Sequence, residues 1–147
     1  MAEEQKTLSP EERQQREQAW IRESFQKANG HLASKGILPQ KVKQTESRFL
    51  APLVSLWRIT AKVEGHIKDF WVISGDLPTD HVEVNAAGDA REALRHFSMQ
   101  WQLKAENIMR GPQAKDEVQV KFANMLVHRG EILYRLFEDD RLWGQQA

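Results

Sequence analysis

The first third of the chain has the pattern of one long amphipathic helix. Residues 9–12 read Ser-Pro-Glu-Glu, which combines a capping serine, a proline suited to the first helical turn and a glutamate at the capping-box position. Apolar residues then recur every three or four positions through residues 20–32, and Gly36 ends the pattern. We expect residues 1–9 to be disordered and residues 37–50, where the periodicity is weak, to form a connector.

The middle of the chain has the pattern of an antiparallel β-hairpin. Over residues 53–63 one face is mostly apolar and the other becomes polar towards the end of the strand, and Glu-Gly-His at 64–66 fits a turn. Residues 68–74 carry aromatic and β-branched side chains on both faces, which indicates an interior strand covered on two sides. Residues 81–84 offer a third strand at the edge. Because two strands alone are marginally stable in water, the helices must cover this sheet.

The C-terminal half has the pattern of two helices. Asp89 and Glu92 form a capping pattern, and apolar residues follow at helical spacing up to Ile108, with Met99 and Leu103 widening the apolar stripe. A Gly-Pro pair ends this helix, and a second apolar stripe begins within a few residues, so the two helices are predicted to be antiparallel neighbours. The whole chain is therefore predicted to be a single α+β domain: an N-terminal helix, an antiparallel β-hairpin with an optional third edge strand, and a C-terminal antiparallel helical hairpin packed on the sheet.

Three positions carry expectations about packing. Trp71, in the second strand, and Phe97, on the cleanest helical stripe, are predicted core residues. Gly130 lies inside the last helix, where glycine costs about 1 kcal/mol relative to alanine. We therefore expect Gly130 to permit the close approach of a neighbouring helix or of the sheet.

Composition and charge narrow the classes of function. The chain has 147 residues, 40% hydrophobic and 29% charged, and its 21 basic residues balance 21 acidic ones. No segment supplies the positive charge that nucleic-acid binders use, so nucleic acid is not an expected partner. The absence of cysteine excludes disulfides and thiolate metal sites, and no apolar stretch approaches the roughly 18 residues of a membrane helix. We expect a cytoplasmic protein without a membrane partner.

One turn groups polar side chains at the end of a buried strand. The residues from Asp76 to His81 include two carboxylates, and the nearby helix start could bring basic side chains to face them. The candidate ligand or partner surface consists of Asp76, Asp80, Arg91, Arg95 and His96. Two alternatives stay open, since these charges could pair only with each other or never meet. Ordinary turn chemistry also explains most of these residues without a ligand.

Catalytic and metal motifs are not recognisable in the sequence. The pairs His128–Glu131 and Glu92–His96 lack the Glu-x-x-His order and spacing of a di-iron carboxylate site. No serine stands in a Gly-x-Ser-x-Gly elbow, and the glycines form no phosphate-binding loop. We therefore assign no catalytic, cofactor-binding or metal-ligating residue and expect no cofactor.

Several segments together resemble a known family. Residues 70–80 read Phe-Trp-Val-Ile-Ser-Gly-Asp-Leu-Pro-Thr-Asp, and they are followed by characteristic runs at 89–98 and 101–108. With residues 20–33, these segments resemble a group of small bacterial proteins known only as a domain of unknown function. The resemblance covers about residues 18–110. It implies a bacterial, cytoplasmic protein with no assigned activity, and it transfers no catalytic or binding residue to this chain.

These observations favour a non-catalytic protein-interaction or self-associating domain, whose partner is another protein or a second copy. The alternative is a small-molecule-binding or catalytic domain that uses the Asp76–His81 turn and the flank of the 89–110 helix. An exposed apolar patch in the structure would favour the first function. A concave pocket with perturbed titratable groups at the turn would favour the second.

Overall fold

The computed structural model describes residues 7–144 of the chain. Helix α1 spans Pro10–Ser34 and begins with the capping box that its sequence predicts. The Glu12 backbone N–H donates to Ser9 Oγ at 3.1 Å, and the Ser9 backbone N–H donates to Glu12 Oε1 at 2.9 Å. Most of the segment expected to be disordered, residues 1–6, lies outside the described residues.

Five antiparallel strands form one sheet. Strands β3 (Val54–Val63) and β4 (His66–Gly75) are the predicted hairpin and pair along their whole length. Strand β5 (Asp80–Glu83) is the predicted edge strand and pairs with β4. Strands β1 (Leu38–Val42) and β2 (Arg48–Leu50) follow one another along the other edge of β3. The sheet order is thus β1-β3-β4-β5, with β2 pairing to β3 on the same edge as β1.

The sequence at 37–50 predicts a connector, whereas the structure places strands β1 and β2 there. Both strands are short and pair on one side only, so few of their side chains need to be apolar. The register of β1 also shifts between Pro39 and Lys41, which interrupts the alternation that marks a strand in sequence. The sheet is therefore larger than the predicted hairpin, within the same α+β class.

The sheet is covered on both faces, as the apolar character of β4 predicts. Successive side chains of a strand point to opposite faces, so Val72 packs against α1 while Trp71 and Ile73 pack on the other side. The α1 side contains a core of Ala28, Leu32, Ile37, Trp57, Ile59, Ala61, Phe70 and Val72. The opposite side is covered by the C-terminal helices, and the predicted core residues Trp71 and Phe97 are each 1% exposed there.

The C-terminal helices form the predicted antiparallel hairpin. Helix α2 spans Ala90–Arg110 and α3 spans Glu117–Glu138, and the short helix α4 follows at Asp140–Trp143. Gly130 lies where α3 meets α2, and a Cβ there would stand 3.0 Å from Gln102 Cγ and 3.2 Å from Ser98 O. Its lack of a side chain therefore allows the predicted close approach. Among residues 7–144, no helix has both the length and the apolar character that crossing a membrane requires.

Candidate functional site

Two histidines and an aspartate meet where α1 crosses the edge of the sheet. His31 lies near the C-terminal end of α1, and Asp80 and His81 begin β5. His81 pairs with Val72 in register, which places its side chain on the face that α1 covers. His31 Nε2 and His81 Nδ1 are 2.8 Å apart, and one ligand atom from each of the three residues lies within 4.8 Å of the others. We call these three residues the histidine cluster.

The carboxylate of the histidine cluster is held by two hydrogen bonds. The indole Nε1–H of Trp101, on α2, donates to Asp80 Oδ2 at 3.0 Å. The backbone N–H of His81 donates to Asp80 Oδ1 at 2.8 Å. Trp101 is 2% exposed, so its donor is fixed by the core on the far side of the sheet. Three elements, α1, β5 and α2, therefore set the positions of the cluster atoms.

Partial burial governs the ionisation of the two histidines. Burial lowers the pKa of His31, and the neighbouring His81 and Lys35 lower it further, while Asp80 acts in the opposite direction. Burial also lowers the pKa of His81 and outweighs the opposing effect of Asp80. Burial thus favours the neutral form of both rings, and a neutral imidazole pair shares one N–H donor and one ring-nitrogen acceptor. Neutral imidazole is also the form that ligates metal ions.

In the structure, the other residues of the sequence-predicted surface make contacts away from the histidine cluster. Asp76 is exposed, and its backbone N–H donates to Leu53 O at 2.8 Å. Arg91 Nη2 lies 2.6 Å from Asp140 Oδ1, because the end of α3 and the start of α4 pack beside the first turn of α2. Within residues 7–144, no ion pair joins Asp76 or Asp80 to a basic residue of α2.

The other two members of that surface also lie on α2. Arg95 Nη1 is 3.7 Å from Glu92 Oε1, one helical turn earlier, and its guanidinium lies over the Phe137 ring. His96 is half-buried and meets the Phe97 ring edge-on with centroids 5.9 Å apart. Only Asp80 of the five residues is therefore part of the histidine cluster.

A second feature is an apolar surface on the side of the helical hairpin that faces away from the sheet. Met99, Leu103, Met109 and Val127 are 51%, 50%, 46% and 36% exposed, and they line a groove of about 460 Å³ between α2 and α3. We call these four residues the outer face. The sequence predicts that Met99 and Leu103 widen the buried stripe of α2, whereas the structure leaves both half-exposed. The reason is geometric, because nine residues separate Met99 from the buried Ala90 and place it on the opposite side of the helix.

The sequence pattern of one protein family matches residues 13–143, and that family is described as Domain of unknown function (DUF4826). The chain belongs to this family. No curated protein and no solved structure matches it. The DUF4826 match confirms the resemblance seen in the sequence and extends it to the end of the helical hairpin. The matched residues 13–143 therefore include the histidine cluster and the outer face.

Of the histidine cluster, the sequence-predicted surface contains Asp80 alone, and His81 ends the turn beside it. Asp80 and His81 stand in the turn that the sequence singled out, whereas His31 was missed. In the sequence, His31 is marked only by its position next to Leu32 of the apolar stripe of α1. Half-buried histidines without a functional role also occupy such positions. The contact spans 50 positions of the DUF4826 chain and depends on how α1 crosses the sheet edge. Periodicity within single elements does not contain that information.

Proposed function

We propose that the protein is a non-catalytic, self-associating domain whose interface is the outer face and whose partner is a second copy of the chain. The observation that carries this proposal is the outer face itself, which lines a mostly apolar groove between two antiparallel helices, with Gln102, Glu106 and Asn124 as its polar lining residues. Methionine and leucine side chains half-exposed at the centre of a surface gain free energy when another surface covers them. Met99 and Leu103 are 51% and 50% exposed, and within residues 7–144 they belong to neither hydrophobic core.

The shape of the surface suits a second copy. Two helical hairpins that meet across a two-fold axis form a four-helix arrangement, in which each groove receives side chains of the other hairpin. In such an interface the same patch appears on both subunits, so an apolar centre on one copy meets an apolar centre on the other. The outer face has the required apolar centre, with Ala105 and Ala123 as small residues in the groove.

Charge also supports a second copy as the partner. The rim carries both signs, with Arg110 Nη2 2.9 Å from Glu106 Oε2 on the same helix. A two-fold axis lets each sign on one rim meet the opposite sign on the other. The chain as a whole has a formal net charge of zero, so long-range repulsion does not oppose association.

Sedimentation equilibrium on the full chain tests this proposal. We expect a reversible dimer in the micromolar range for the parent protein. Leu103→Glu places a charge at the centre of the outer face, and it should weaken the dimer by at least about tenfold, or about 1.4 kcal/mol. Because Leu103 is 50% exposed, this variant keeps its fold, which circular dichroism verifies.

Gln100→Glu is the matched control. It adds the same charge to an exposed position of the same helix, about 100° around the helix axis from Met99. This control should dimerise like the parent. A parent that stays monomeric throughout the micromolar range contradicts self-association, as does an equal loss in both variants. If the protein is a monomer and its outer face binds an amphipathic helix of another protein, then the partner is that protein and not a second copy of the chain.

A ligand-binding function remains the second candidate, and the histidine cluster is the observation that favours it. Two of its members belong to the Asp76–His81 turn on which that alternative was based. The cytoplasmic location and bacterial origin expected from the sequence are kept as parts of the proposal. The origin rests on the family resemblance, and the location rests on the composition and on that resemblance.

A further inference from the structure

We propose that His31, Asp80 and His81 bind a single divalent transition-metal ion of the zinc class. This site is separate from the outer face, because its donor atoms come from α1 and β5 whereas the outer face belongs to α2 and α3. Two imidazoles and one carboxylate form a donor set that suits zinc and related ions. Calcium and magnesium prefer an all-oxygen shell, so they are not the ions that this set selects.

The donor atoms are close enough to share one ion. Their ligand atoms lie within 4.8 Å of one another, with the two ring nitrogens at 2.8 Å. In a tetrahedral zinc site with Zn–N bonds of about 2.0–2.1 Å, two such nitrogens stand about 3.3 Å apart. The rings therefore need to separate by about 0.5 Å, and the Asp80 oxygen, which lies within 4.8 Å of a nitrogen of each ring, must come to a similar spacing. Rotations of the three side chains supply these movements.

Ligation requires a particular tautomer of each ring. Each neutral imidazole carries one proton, and the nitrogen that binds the ion must be the unprotonated one. The facing nitrogens are Nε2 of His31 and Nδ1 of His81, so the proton of each ring must stand on the other nitrogen. Binding thus moves the proton of one ring between its two nitrogens, and neither ring gives up a proton to solvent.

Trp101 orients the carboxylate as an outer-shell partner does in metal sites. Its N–H occupies one lone pair of Asp80 Oδ2, and the His81 backbone N–H occupies one of Oδ1. Each oxygen keeps a second lone pair that can bind the ion. Such outer-shell donors fix the ligand in position before the ion arrives. With three protein ligands, a tetrahedral ion keeps one position for water or for a further ligand.

A simpler interpretation is a histidine–histidine hydrogen bond that only fastens α1 to β5. Isothermal titration of the full, tag-free chain with Zn²⁺ alone separates the two interpretations. We expect one ion per chain. His81→Ala and Asp80→Asn should each weaken binding by at least about tenfold, and Trp101→Phe, which removes the donor to Asp80, by about 10–100-fold. His128→Ala and His66→Ala remove exposed histidines outside the cluster and should bind Zn²⁺ like the parent.

Nitrogen-15 NMR of the parent protein tests the site without any substitution, so it does not depend on whether a variant folds. The chain has five histidines. Zinc should shift the Nε2 resonance of His31 and the Nδ1 resonance of His81 and leave the other three rings unchanged. Absence of stoichiometric binding, shifts confined to other histidines, or equal losses in the control variants would overturn the metal site and leave the hydrogen bond as the role of the pair.

Discussion

At the residue scale, Gly75 shows how tightly the end of β4 is fixed. Its φ is +132°, and a Cβ there would stand 2.5 Å from Leu53 O and 3.1 Å from Trp20 Cζ2. The Gly75 carbonyl accepts a hydrogen bond from Lys27 Nζ at 3.1 Å. The strand end is therefore held by α1 on one side and by the residue before β3 on the other. This rigidity fixes where the chain leaves for the Asp76–His81 turn.

The first prediction is that Gly75→Ala destabilises the protein by about 1–3 kcal/mol, since it combines an unfavourable φ with a clash against backbone. Urea unfolding measures the change. Gly36→Ala is the control, because Gly36 also has a positive φ of +77° but a Cβ there meets nothing within 4 Å. Gly36→Ala should lose clearly less stability. Equal losses would show that the clash with Leu53 is relieved and that only the backbone conformation matters.

The histidine cluster shows how far a sequence predicts a site at the residue scale. The sequence singles out Asp80 and the turn that ends at His81, because turn residues after a buried strand stand out locally. The sequence leaves open whether Arg91 meets Asp76 and Asp80, and in the structure Arg91 pairs with Asp140 from the far end of the helical hairpin. His31 was missed for a related reason. Contacts between elements depend on the angle at which helices cross the sheet, and no local pattern encodes that angle.

At the element scale, Asp69 joins the strands on one side of the sheet. Its carboxylate on β4 accepts hydrogen bonds from Thr60 Oγ1 and Arg58 Nε, both on β3, at 2.7 and 3.1 Å. It also accepts from Lys43 Nζ, just after β1, at 2.8 Å. Burial alone would raise the pKa of Asp69, but these three donors together outweigh burial and hold the pKa below its usual value.

The second prediction concerns the pH dependence that follows from Asp69. A carboxyl group whose pKa is lower in the folded state stabilises the protein above the unfolded pKa of about 3.8, and this contribution is lost as the pH falls through the folded pKa. Asp69→Asn should therefore cost about 1–3 kcal/mol at pH 7 and much less near pH 2. Urea unfolding of the parent and the variant at both pH values gives the difference. A cost that does not depend on pH would show that the ionised form contributes nothing.

At the element scale, the extent of burial explains which helices and strands the sequence pattern predicts. Strands β3 and β4 and helices α2 and α3 carry long, regular apolar patterns, because each buries a face or a continuous stretch of residues in a core. Strands β1 and β2 pair with one edge of β3 only and leave most side chains half-exposed. Their sequences therefore lack the alternation of apolar and polar residues that marks a strand. In β1, the register shift after Pro39 interrupts any such alternation further. Burial on one side only is the physical reason that they read as a connector.

At the scale of the whole molecule, one sheet supports two separate hydrophobic cores. Along β4, Val72 belongs to the core under α1, and its neighbour Ile73 belongs to the core under the helical hairpin. A buried hydrogen bond from Ser74 Oγ to Ser24 O, 2.7 Å long, ties α1 to the same strand. Loss of either helical layer would expose the apolar face of a sheet whose strands also form the other core. The two layers should therefore unfold together.

The last prediction is that the protein unfolds in a single cooperative transition, and that a cavity in either core lowers the stability of the whole. Leu32→Ala removes volume beneath α1 and Leu126→Ala beneath the helical hairpin, where the two leucines are 0% and 2% exposed. Each substitution should lower the free energy of unfolding by about 2–5 kcal/mol.

Two signals followed during urea unfolding test this prediction. Far-ultraviolet circular dichroism reports the helices, and tryptophan fluorescence reports both cores, since Trp57 and Trp71 lie on opposite faces of the sheet. The two signals should coincide in both variants, because the shared strands transmit the loss from one layer to the other. If Leu32→Ala instead unfolds in two steps, the first of which loses part of the helical signal and the Trp57 part of the fluorescence, then α1 is an independently unfolding layer and the sheet is stable with one face uncovered.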